Sequence, residues 1–274
     1  MTLKYFKLSI AQLTVIIVMA HFPKLLSQET EIMYLSGTGN DQTINWEFLC
    51  TDGNQSGKWK TIPVPSNWEL QGFGTYNYGH DKDTLRGKES GLYRYHFSVP
   101  GDWRDRKINI VFEGSMTDTE VKINGSLAGP VHQGAYYRFK YDITDLILTG
   151  RKNLLEVKVD KHSANNSVNR AERFADYWIF GGIFRPVYLE SLPKQHIEHL
   201  FLNAGSDGHL SAEVYLGNIN DADKLTAQVF TQEGLPAGEL FGCMLEEDVS
   251  EVLISTNVDS PLLWSPEFPN LYHL

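Results

Sequence analysis

The chain has 274 residues, 42% hydrophobic and 21% charged, enough apolar material for one large or two ordinary cores. Its formal net charge is -10. It therefore lacks the basic excess needed to displace counterions from phosphates or to adsorb to an anionic bilayer, which excludes nucleic acid as a partner.

The N-terminus differs from everything after it. Lys4 and Lys7 precede an apolar run, residues 8–20, too short for the roughly 20 residues that span a bilayer. This pattern predicts a secretory signal peptide over residues 1–27, with Ala20 or Ser27 at the cleavage point. The competing reading is a buried N-terminal strand or helix. The signal-peptide reading predicts a secreted or periplasmic protein with no membrane insertion after cleavage.

From there period-2 alternation dominates, and helical periodicity is almost absent. Strands are predicted at residues 91–99, 107–112 and 120–123. Asn124-Gly125 follows the third as a tight-hairpin dipeptide. Further strands are predicted at 135–141 and 184–190, and at Leu155, Val157 and Val159, which alternate with Glu156, Lys158 and Asp160. Short strands separated by turn residues indicate an antiparallel sandwich. Two long segments, 66–88 and 161–182, carry no strand pattern but many aromatics; irregular segments this long in a β domain are usually functional.

A boundary falls near residues 191–195, and strands restart at 197–202, 209–216, 225–231 and 250–258. The expected fold is all-β: a jelly-roll, galactose-binding-like sandwich at 28–192 followed by an incomplete immunoglobulin-like sandwich at 193–274. The second would lack its last strands, because the chain stops just after Asn270-Leu271-Tyr272. Such an open sandwich is expected to expose apolar surface and aggregate. Cys50 and Cys243 are too few for a disulfide framework, so two free, buried thiols are expected. No CxxC or HExxH spacing is present, and no cofactor is expected in this chain.

Several motifs occur in one order. Val64-Pro65-Ser66-Asn67-Trp68 precedes Gly72. Gly91-Leu92-Tyr93-Arg94-Tyr95 runs on to Val99-Pro100. Phe112-Glu113-Gly114, Val121 with Ile123-Asn124-Gly125, and Asp142-Ile143-Thr144 with Leu146 follow. The most specific is Tyr177-Trp178-Ile179-Phe180-Gly181-Gly182-Ile183-Phe184-Arg185. Trp264-Ser265-Pro266-Glu267, Pro269 and Leu271-Tyr272 close the series. Together they resemble glycoside hydrolase family 2, which includes β-galactosidases, β-glucuronidases and β-mannosidases.

The resemblance implies a sugar-binding jelly roll, an immunoglobulin-like domain and a catalytic (β/α)8 barrel, of which this sequence covers the first and most of the second. The family's Asn-Glu pair does not occur here. Hydrolysis needs two carboxylates across the glycosidic bond, so the chain alone is expected to be inactive. The resemblance also implies a β-galactoside or related oligosaccharide as partner, Na or Mg in a full-length enzyme, and leaves a homo-oligomer open.

Two site residues follow from the resemblance. Asp176 matches the acidic residue that holds the galactose 6-hydroxyl directly and through a monovalent cation; the alternative is a loop-closing Asp. Asn77 is the nearest match to a second rim residue, in uncertain register, against an ordinary turn Asn. Trp178 and Tyr78 are placed to stack on a sugar ring. Arg173 is preferred over Arg185 for a substrate carboxylate. Two other functions compete with a hydrolase fragment: a stand-alone carbohydrate-binding module and a structural or assembly domain.

Overall fold

A computed structural model describes residues 29–82 and 87–274, so the expected signal peptide lies outside the described residues. In the first unit the strands are β1 (Glu31–Tyr34), β2 (Ile44–Cys50), β3 (Lys60–Val64), β4 (Asn77–Tyr78), β5 (Ser90–Ser98), β6 (Lys107–Phe112) and β7 (Asp118–Ile123). They continue with β8 (Ser126–Leu127), β9 (Phe139–Asp142), β10 (Lys152–Asp160), β11 (Trp178–Ile179) and β12 (Val187–Leu192). One short α-helix, α1 (Asn166–Glu172), and three single 3-10 turns interrupt them. A four-stranded antiparallel sheet, β1-β12-β6-β9, packs on a six-stranded one, β3-β2-β5-β10-β7-β8. This is the expected all-β sandwich.

Alternation explains the packing. Trp46, Phe48 and Cys50 on β2, Tyr93 on β5 and Leu155, Val157 and Val159 on β10 point into one core with Ile108, Ile110 and Phe112 from the facing sheet. The intervening Glu47, Arg94 and Lys158 face solvent. Asn124 (φ 52°) and Gly125 (φ 84°) both occupy the left-handed region that a two-residue hairpin requires between β7 and β8.

Two expected strands are shorter in the structure. Residues 135–138 leave the ladder because the Ala135 N–H donates to the Glu172 carboxylate at 2.8 Å instead of to a neighbouring strand. Residues 184–186 precede β12, where Pro186 has no N–H to contribute.

The second unit contains β13 (His196–Ala204), β14 (His209–Gly217), β15 (Lys224–Ala227), β16 (Phe230–Thr231), β17 (Phe241–Met244), β18 (Glu251–Asn257) and β19 (Tyr272–His273). They form a three-stranded sheet, β13-β14-β18, and two ribbons, β15-β17 and β16-β19. Its core centres on Ala212, Val214, Leu216, Ile219 and Ile254. Leu200 and Leu202 lie opposite Val214 and Ala212, on the same face, yet stay 40% and 53% exposed. Both cysteines are free, but only Cys50 is buried. Cys243 is half-buried, correcting the expectation, because this smaller core does not close over β17.

The units are joined by charge. Glu198 on β13 meets Lys107 on β6 at 3.1 Å, Lys140 on β9 at 3.2 Å and His196 at 2.8 Å. Desolvation opposes its ionisation, but hydrogen bonds from His196, Lys107 and Lys140 outweigh it and hold its pKa near about 2. Among the described residues no helix is long and apolar enough to cross a membrane.

Candidate functional site

The two irregular segments meet each other. Ser66 N–H donates to Ile183 O at 2.8 Å and Trp68 N–H to Gly181 O at 3.1 Å, laying the first motif along the last. The paired glycines are a steric requirement. A Cβ on Gly181 would lie 2.0 Å from the ring of buried Trp68. Gly182 has φ 118°, and a Cβ there would lie 2.7 Å from Ser66 O.

This docking brings β11 beside β4, with Trp178 opposite Tyr78 and Ile179 opposite Asn77. Pleating sends the pairs to opposite sides. Asn77 and Ile179 are buried, whereas Trp178 is 54% exposed and Tyr78 half-buried. Tyr76 and Tyr78 stand edge-on to Trp178, with ring centroids 6.0 and 5.5 Å away. The Tyr78 hydroxyl donates to the exposed Asp176 carboxylate. That bond raises the phenol pKa above its ordinary value, so Tyr78 stays a donor. Asp176, Tyr78 and Trp178 therefore form one polar–aromatic edge.

The other two expected residues are elsewhere. Asn77 is 1% exposed, and its carboxamide oxygen accepts the Gly87 N–H at 2.8 Å, so it closes a loop and offers nothing to a ligand at the surface. Arg173 is also 1% exposed. Its Nη1 donates to Phe180 O at 2.8 Å. The turn after α1 directs the guanidinium inward, and burial lowers its pKa. The expectation that Arg173 meets a substrate carboxylate is corrected on that ground.

Beneath the edge lies a charge cluster that sequence reasoning missed. Lys161 Nζ is fully buried, 2.7 Å from Glu69 and 3.0 Å from Glu89, and it also donates to Thr75 O. Glu69 accepts the Gly181 N–H at 3.0 Å, and Glu89 accepts the Thr75 N–H at 2.8 Å. Each carboxylate thus grips the backbone of one of the two segments, and Lys161 ties the grips together. Desolvation raises the Glu69 pKa, with Lys161 opposing it. The only sequence signal was charge inside segments rich in aromatics, which local pattern does not resolve into pairs.

Among the described residues no three His, Cys, Asp or Glu gather as metal ligands. Asp176 alone does not form a cation cage.

Residues 42–193 match the family described as glycosyl hydrolases family 2, sugar binding domain. The chain belongs to glycoside hydrolase family 2. Asp176, Tyr78 and Trp178 all fall inside the matched range. The chain is 31% identical over 188 residues to a beta-galactosidase of Thermoanaerobacter pseudethanolicus, covering 66% of this chain and 25% of that one. It is 29% identical over 242 residues to a beta-galactosidase of Priestia megaterium, covering 79% and 23%. It thus spans about a quarter of the length of these curated relatives. The fold also matches a crystal structure of Bacteroides uniformis beta-glucuronidase, with TM-score 0.67, 22% identity, and 89% and 30% of the two chains covered.

Proposed function

We propose that this chain is the sugar-binding front of a secreted family 2 hydrolase of β-galactosidase type. In this reading residues 193–274 form an immunoglobulin-like connector, and the two catalytic carboxylates belong to a barrel of a longer enzyme. Asp176 accepts two sugar hydroxyls, one on each oxygen, while Trp178 offers its ring to the apolar C–H face of the pyranose. The observation that carries the reading is the joint placement of Asp176, Tyr78 and Trp178 on one exposed edge. Relatives named beta-galactosidase agree with a galactoside, and others are named beta-glucuronidase. The burial of Arg173 points to the former, since it removes the surface guanidinium that would greet a uronate.

Saturation-transfer NMR on the purified chain, with lactose and with phenyl glucuronide, tests this. Lactose should bind weakly, with Kd on the order of 1 mM, and should lose its signal in Trp178→Ala. Equal binding of both ligands, or binding that ignores Trp178, contradicts the galactoside reading.

A further inference from the structure

The outer face of the six-stranded sheet carries a feature that the rim does not use. Across β2, β5, β10 and β7 the register places Glu47, Arg94, Glu156 and Lys122 in one row. Alternating charges on a solvated face explain most of that row. They do not explain the tryptophan at its end. Trp59, just before β3, is 41% exposed, and the Arg94 guanidinium carbon sits 4.4 Å from its ring centroid. Arg94 Nε is held in turn by Glu156 at 3.2 Å. Arg94 thus packs on the indole ring, and Trp59 and Arg94 both line an open cleft of about 880 Å³.

The cleft is built on interlocked backbone. Asn54 and Gly74 exchange N–H to O bonds at 2.8 and 2.9 Å. Gln55 Nε2 donates to Gly72 O at 2.8 Å, and Lys60 Nζ donates to Gln55 Oε1 at 2.6 Å. These bonds pin the loop before β3 to the turn that follows Trp68. Glu47 lies in the lining, and among the described residues its carboxylate has no hydrogen bond or ion pair. Gln71 also lines the cleft.

We infer that this cleft is a second carbohydrate-binding site, separate from the Asp176 edge, for a neutral pyranose unit of an oligosaccharide. The sugar's apolar face rests on Trp59. Two vicinal hydroxyls donate to the Glu47 carboxylate, and the Gln71 amide completes the rim. The arrangement favours an uncharged sugar, because Glu47 repels a uronate while Glu156 already holds Arg94. A surface site of this kind would hold a polymer to the protein away from the point of cleavage.

The test is an NMR titration of the ¹⁵N-labelled chain, following the Trp59 indole N–H identified by its loss in Trp59→Phe. The ligands are lactose, cellotetraose, mannotetraose and, for comparison, tetragalacturonate. A neutral oligosaccharide should shift this resonance saturably. Glu47→Ala, followed on that resonance, and Trp59→Ala, followed on the backbone amides of Lys60 and Gln71, are both surface changes and should each weaken binding about tenfold, the scale of one lost stacking or charge-assisted contact. Trp178→Ala should leave it unchanged, which separates this site from the rim. No saturable shift with any neutral ligand, a site lost in Trp178→Ala instead, or tighter binding of tetragalacturonate would overturn the inference.

Discussion

Lys161 and Gly181 are joined through a single side chain: Glu69 takes the Lys161 ammonium on one side and the Gly181 amide on the other. The exposed edge is thus held from below by a buried ion cluster, and the rim's geometry depends on groups that never reach solvent.

Lys161→Met should therefore be severely destabilising. It leaves the Glu69 and Glu89 carboxylates buried without their cation, and removing one partner of a buried pair costs about 3–5 kcal/mol. Urea unfolding should show the loss in midpoint. A midpoint within experimental error of the parent would mean that the cluster contributes nothing.

Gly181→Ala should cost roughly 1–3 kcal/mol, the range for forcing a methyl into a filled core. The new Cβ meets the Trp68 ring at 2.0 Å, and Trp68 has no room to retreat. Thermal melting of the variant against the parent checks this. Gly57→Ala is the control for a change with no steric clash, since a Cβ there meets nothing within 4 Å, although its φ of 76° still carries backbone strain.

The join between the units should weaken in acid. Glu198 has a folded pKa of about 2, below its ordinary 4.5. A depressed carboxylate contributes stability that is complete above the unfolded pKa and lost as pH falls through the folded one. The window is therefore about pH 4.5 down to about 2. Glu198 is partly exposed, and the discounted contribution is about 1 kcal/mol. Comparing Glu198→Gln with the parent at pH 6 and pH 3 should show a gap that narrows in acid. A gap that widens would reverse the assigned sign.

At the rim, Asp176→Ala and Trp178→Ala should each reduce galactoside affinity by several-fold while leaving the melting temperature unchanged, because both side chains are exposed. Isothermal titration with lactose, paired with a melt, distinguishes lost contact from lost fold.

The sandwich was legible because period-2 alternation is a local signal. Residues 107–112 and the β10 triad Leu155, Val157 and Val159 read directly as strands with one buried face. The hairpin at Asn124-Gly125 was legible for a similar reason, since the dipeptide itself demands left-handed backbone. Residues 135–138 misled because Tyr136 and Tyr137 look like strand residues, while a carboxylate 37 positions away captures the Ala135 amide. The seven-residue helix α1 is too short to show a period, although Asn165 caps it by accepting the Ser167 N–H at 2.9 Å. β17 was hidden by Gly242.

The site was half legible. Asp176 was singled out through a family motif and Tyr78 and Trp178 for their ring faces, and the three lie together in the structure. Arg173 was misjudged because sequence shows a guanidinium but not which way a turn sends it. The Glu69, Lys161 and Glu89 cluster joins residues up to 92 positions apart, and no local pattern announces such a pairing.

A crystal structure of the chain with lactose bound bears most directly on the proposal that the β4–β11 edge binds galactoside. The expected result is a galactosyl ring against Trp178 with a hydroxyl hydrogen-bonded to Asp176. An edge left bare at saturating lactose, with Asp176 engaged only by Tyr78, would contradict it.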